Sequence, residues 1–233
     1  MAVTPPTDQA FLREVDDELR RDQLLGFWQR WGKLVIGSIV VALALFAGFL
    51  FWQHRREMAA GAEGEQLTQA YDALGSRQYG PAGQQLAVLA GSSRDGYRAM
   101  AVFSQADILL QQKNDKAAAA KLAGLANDTS LPQAIRDLAL VRQTAAEFDT
   151  LKPQVVVERM RPLAVTGGAW LGSAGELLAA AYLREGRRDL AATLFGQIGQ
   201  GDDVPQSLRQ RSVQMAGDLG VAASEPNGEA KAK

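Results

Sequence analysis

Few residues in this chain are of types that do chemistry, and their spacing narrows the field further. His54 is the single histidine and there is no cysteine. That composition argues against disulfide frameworks, thiolate zinc sites, cysteine nucleophiles and multi-histidine metal sites. An imidazole can titrate near neutrality. His54, however, stands beside Arg55 and Arg56 at the end of an apolar run, and the three read as a polar interface. Asp202 and Asp203 are adjacent carboxylates. They would hold a cation only with further acids, which the neighbouring sequence does not supply. An acidic pair at a helix start fits better, because carboxylates stabilise that positive end. Gly167 and Gly168 lie between helical patterns, not after a strand, which marks a loop instead of a phosphate cradle. No P-loop, G-x-G-x-x-G, H-E-x-x-H or G-x-S-x-G occurs. The expectation is a chain without catalytic, metal or cofactor-binding residues.

The elements around these residues are more informative. The chain has 233 residues with a net charge of −1, so no global field points to nucleic acid. Alanine and leucine dominate, which favours helix throughout. Leu34 to Trp52 is 19 residues without a charge, and twelve are Leu, Ile, Val or Phe. A helix of that length spans about 28 Å, close to the roughly 30 Å hydrocarbon core. Its twelve large apolar residues favour the membrane by about 4–7 kcal/mol. Trp28, Trp31 and Trp52 fall near the two ends, where amphipathic rings prefer the interface. The run is too long, and the 33 residues before it too mixed in charge, for a cleaved signal peptide. An uncleaved anchor is expected.

Orientation follows from Lys and Arg near the ends. Arg13, Arg20, Arg21, Arg30 and Lys33 precede the run; only Arg55 and Arg56 follow it closely. The expectation is a cytoplasmic segment 1–33, an anchor 34–52, a short linker 53–65, and residues beyond it across the membrane. Within the first segment, FLREVDDELRRD reads as an amphipathic helix. Phe11, Val15 and Leu19 share one side, and Asp16–Arg20 and Asp17–Arg21 pair across one turn on the other. Thr7 or Asp8 can cap it. Its apolar stripe is a candidate contact for a cytoplasmic partner.

Past the anchor, one apolar trio recurs. Ala82, Leu86 and Leu89 form the first copy and Ala118, Leu122 and Leu125 the second. Val156, Met160 and Leu163 form the third, and Ala191, Phe195 and Ile198 the fourth. The intervals are 36, 38 and 35 residues, and each trio lies at i, i+4, i+7 on one helical face. A helix-length run precedes each trio. In the last copy it carries Leu178, Ala179 and Tyr182, with Gly186 at the turn and Asp189 opening the second helix. Small residues allow close approach of the two helices and large ones fill the space between. These residues resemble the tetratricopeptide repeat, a helix–turn–helix of about 34 residues. The resulting expectation is an all-α chain: an amphipathic helix, one transmembrane helix, and an α-solenoid of four degenerate helix pairs over 66–220. Pro132 would open the third pair. Pro205 would open a polar-faced capping helix, Gln206 to Leu219. The last residues, 221–233, are low in apolar content and are expected to be disordered.

The whole arrangement resembles the YfgM-like family, ancillary subunits of the bacterial Sec translocon. The most specific part of the match is FLREVDDELRRDQLLGFWQRWGK, which is similar to the alphaproteobacterial version. The resemblance implies a repeat domain in the periplasm, anchored in the inner membrane lipid beside the translocon. It implies work with a membrane-anchored periplasmic chaperone of the PpiD type on unfolded exported proteins, without catalysis, cofactor or nucleic acid. Two other readings stay open. One is a membrane-anchored scaffold for envelope assembly or division. The other reverses the topology and leaves the repeats in the cytosol.

Overall fold

The structure is a computed structural model that describes the backbone of residues 7–220 and the side chains of residues 30–220. The side chains of Phe11, Val15, Leu19, Arg20 and Arg21, and the tail 221–233, lie outside the described residues. The chain divides into two units, Met1–Ala62 and Glu63–Lys233.

Helix α1 (Thr7–Gly75) makes up the described part of the first unit and enters the second. Its apolar stretch is exposed among the described residues: Leu45 is 72% exposed and Phe51 64%. This helix is long and apolar enough to cross a membrane. The hydroxyl of Ser38 donates to the carbonyl of Val35 at 2.8 Å, so it brings no unpaired polar group to the apolar surface. After the stretch, the Arg55 guanidinium lies 5.5 Å from the Phe51 ring and Arg56 lies 4.5 Å from Trp52. His54 is exposed beside them.

In the second unit, the last turns of α1 are followed by α2 (Tyr79–Leu89), α3 (Asp95–Gln111), α4 (Asp115–Asn127), α5 (Gln133–Glu147), α6 (Pro153–Met160), α7 (Leu171–Arg184), α8 (Arg188–Gly199) and α9 (Gln206–Asp218). All regular elements among the described residues are helices. Each packs on its neighbours in sequence, and α3 with α5, α5 with α7 and α7 with α9 also touch. This is the connectivity of a stack in which contacts stay local. The core accordingly forms three clusters in a row. The first joins Leu67 and Ala70 of α1 to Ala82 and Leu86 of α2 and Ala101 and Ile108 of α3. The second joins Ala99, Phe103 and Ala106 of α3 to Ala118 and Leu122 of α4 and Ala139 of α5. The third runs from Val141 of α5 to Ala216 of α9.

Three of the four helix pairs share one turn. The N–H groups of Arg77 and Gln78 close onto the carbonyls of Leu74 and Ala73 at 2.9 and 2.8 Å. Lys113 and Asn114 do the same onto Leu110 and Leu109, at 2.9 and 2.8 Å. Gly186 and Arg187 repeat it onto Leu183 and Tyr182, at 3.0 and 2.9 Å. This is the Schellman arrangement, which needs a left-handed residue at its centre. Arg77 and Lys113 sit there at φ 59° and Gly186 at φ 75°. The first turn, although Gly75, Gly80 and Pro81 lie around it, is as regular as the second and fourth.

The third pair departs from the pattern. Five residues, 148–152, join α5 to α6, which begins with Pro153 in its first turn. Helix α6 ends at Met160, so Leu163 does not extend the helical face as its spacing predicts. Pro162 has no N–H to continue the ladder. The N–H groups of Leu163 and Ala164 fold back onto the Met160 carbonyl at 3.0 and 2.9 Å. Leu163 is half-buried in the turn and still packs on the third cluster. At the end of the stack, α9 follows Pro205, seats Ser212 and Ala216 inward, and exposes Gln206, Gln210, Arg211 and Gln214.

Two predictions follow from this packing. Leu122→Ala or Phe195→Ala should cost about 2–5 kcal/mol in stability, because each leaves a cavity in its cluster; an unchanged melting temperature would contradict the stacking. At the turns, Lys113→Gly relieves about 1–2 kcal/mol of left-handed strain and restores roughly 0.4–1 kcal/mol of unfolded-state entropy. The net result should be a melting temperature unchanged or raised by about 2–4 °C. Gly186→Ala should shift it the other way.

Candidate protein-interaction surface

The trios fall where the helices meet. Ala82, Leu86, Ala118, Leu122, Val156, Met160, Ala191 and Ile198 are all at or near zero exposure, with Leu89, Leu125, Phe195 and Tyr182 also buried. Twelve residues before the first member of each trio stands another fully buried small residue: Ala70, Ala106, Thr144 and Ala179. Two alanines facing each other let the backbones of a pair approach closely. In the third pair Thr144 and Val156 replace them, and the Thr144 hydroxyl has no hydrogen-bond partner among the described residues. Ala70 and Thr144 were discoverable in the sequence by stepping back twelve residues from Ala82 and Val156.

Charged side chains stitch successive first helices of the pairs together. Arg142 on α5 reaches Asp107 on α3 and lies 5.3 Å from the Phe103 ring. Arg184 on α7 donates to the carbonyls of Phe148 and Leu151 at 2.6 and 3.0 Å, and stacks 5.1 Å from the Phe148 ring. Arg211 on α9 pairs with Glu176 on α7 at 2.6 Å. Arg159 holds Glu147 at 2.7 Å, with Gln143 also donating to that carboxylate at 3.2 Å. Pairs at this exposure are worth about 0.2–1 kcal/mol each, so they set the register of helices that the apolar clusters hold together. The row of α3, α5, α7 and α9 therefore presents a mixed-charge surface, suited to polar contact with another polypeptide.

A second polar cluster occupies the opposite turns. Glu63 accepts from Ser92 at 2.8 Å and from Arg94 at 2.7 Å. Arg98 holds Asp95 at 2.9 Å and Asp128 at 3.1 Å, and donates to Ser130 at 3.0 Å. Asp128 accepts from the Ser130 hydroxyl at 2.6 Å and its N–H at 3.0 Å. Those Ser130 bonds, with the Arg98 charge, hold the Asp128 carboxyl below its ordinary range.

Asp202 and Asp203 are exposed in the turn between α8 and α9, and no group of three or more metal-type ligands occurs among the described residues. Gly167 (φ 74°) and Gly168 shape the loop between α6 and α7. Lys33 and Arg30 lie on α1 before the apolar stretch, both exposed.

A family model described as Tetratricopeptide repeat-like domain matches residues 26–218. No curated protein and no solved structure matches.

The Asp128 cluster gives a pH test. A carboxyl with a depressed folded-state value stabilises the fold above its unfolded value, and the benefit is lost as pH falls through the folded value. Asp128→Asn should therefore melt below the parent chain at neutral pH, and the gap should close as pH falls below the ordinary carboxylate range. A gap constant with pH would contradict the assignment.

Proposed function

Since the chain belongs to the tetratricopeptide repeat-like domain family, we propose that it is a membrane-tethered, non-catalytic adaptor that docks at the Sec translocon. Its repeats would receive unfolded exported proteins and pass them to a membrane-anchored chaperone of the PpiD type. Repeat domains of this kind work through protein–protein contact, and their stacked helices offer extended surfaces without chemistry of their own.

The observation that carries the reading is the composition of α1. One helix contains the uncharged stretch Leu34–Trp52 and ends with Leu67, Ala70 and Leu74 in the first repeat cluster. Five Lys or Arg residues before the stretch and two just after it favour a cytoplasmic N-terminus and a periplasmic repeat domain in a bacterial inner membrane. The N-terminal string FLREVDDELRRDQLLGFWQRWGK points to the translocon in particular, through its resemblance to the YfgM-like family.

Affinity purification from mild detergent should recover translocon subunits, and photo-crosslinkers placed in 53–65 should capture the channel or exported chains. Protease added to spheroplasts should digest the repeats and spare the N-terminal segment. Recovery of envelope-assembly or division proteins, with no crosslink to channel or exported chains, would overturn the adaptor reading in favour of a scaffold.

A further inference from the structure

Exposed cations stand in or beside the turn of each of the four helix pairs, at positions that differ by up to two residues from pair to pair. Helices joined by turns of three to five residues run back on one another, so the turns within the four pairs lie along one edge of the stack. Those turns and the residues bounding them hold Arg77, Lys113, Lys152 and Arg188, which are 36, 39 and 36 residues apart. All four are exposed. No ion pair among the described residues takes up any of these side chains. On the other edge the arginines are committed: Arg94 holds Glu63, and Arg98 holds Asp95 and Asp128.

Stability accounts for only part of this placement. A cation favours the last turn of a helix, where it meets the negative end of the dipole. Arg77 and Lys113 stand just past the ends of α1 and α3, but Lys152 and Arg188 stand at the starts of α6 and α8, where the helix dipole disfavours a cation. Arg77 and Lys113 moreover occupy left-handed positions, where the fourth turn uses Gly186. A side chain kept at a strained backbone position that glycine would fill more cheaply points to a role outside the fold.

We propose that this edge is a ladder on which an acidic, extended segment of a partner polypeptide docks. The inference rests on the reading of the chain as a protein-interaction module. The first helices α3, α5 and α7 touch in succession, and packed helices lie about 8–10 Å apart, which sets the expected spacing of the rungs. An extended chain advances about 3.3–3.6 Å per residue, and a carboxylate at every third residue meets each rung. Asp115, Asp149 and Asp189 lie in or beside the same turns. They repel a uniform polyanion such as nucleic acid or an anionic bilayer. A peptide whose carboxylates meet only the cations avoids them.

The test uses the full chain in nanodiscs of neutral lipid. The probe is a fluorescein-labelled peptide of about 12 residues, with Glu at every third position in a Gly/Ser background, and binding is read by anisotropy. Arg77→Gly with Lys113→Gly should weaken binding about 2–30-fold, at the strength of two exposed charge pairs, without lowering the melting temperature. Lys152→Ala with Arg188→Ala, at residues outside the left-handed region, should weaken it similarly, and the Gln version of the peptide should not bind. Unchanged affinity in both double variants would overturn the ladder. So would displacement of the peptide by single-stranded RNA or anionic vesicles at equal charge concentration. Peptide binding in a chain that recovers no translocon subunit would support the ladder and defeat only the adaptor reading.

Discussion

The distance between paired helices is the constraint on which the repeat stack depends. Ala70 with Ala82, Ala106 with Ala118 and Ala179 with Ala191 put small residues at the crossing of each pair, all with essentially no exposure. With the backbones that close, Leu86, Leu122 and Phe195 fill the space beside the crossing and need no further partner within the pair. The turns follow from the same geometry. A three-residue link between two closely packed antiparallel helices has to reverse abruptly, and a left-handed residue achieves that while satisfying the last carbonyls.

The third pair lacks the facing alanines and differs in other ways as well. Thr144 and Val156 stand where the other pairs have alanines, the link grows to five residues, and α6 is only eight residues long. These features belong together. A longer link has no need of the abrupt turn, and Pro162 stops the second helix early. Compensation comes from polar ties around it, with Arg159 on Glu147 and Arg184 on the Phe148 and Leu151 carbonyls. Those ties act through precise geometry and modest energy, while Val141, Val156, Val157 and Met160 anchor the pair in the third cluster.

The sequence made the stack legible through periodicity, because the trio from Ala82 to Ile198 repeats on one helical face and burial requires that repetition. The apolar run of α1 was legible through length alone. The left-handed turns were not, since Arg77 and Lys113 are residues that rarely adopt that conformation and the nearby glycines at 75, 80 and 83 drew attention away. The end of α6 was readable from Pro162, yet the regular spacing of Leu163 outweighed it. The interaction surface was least legible of all. Which charges face outward depends on pairs such as Arg142 with Asp107, 35 residues apart, and no local pattern encodes that meeting.

Helices α3 and α5 each contribute to two clusters: Ala101 and Ala99 of α3 point into different ones, as do Ala139 and Val141 of α5. Such a helix is a shared wall, finished on both sides. A gene encoding walls of this kind can gain or lose a unit by recombination between equivalent helices, since each new junction reproduces a surface the neighbouring helix already fits. The number of repeats is then a quantity open to drift or selection, while the two ends, α1 and α9, must stay as they are.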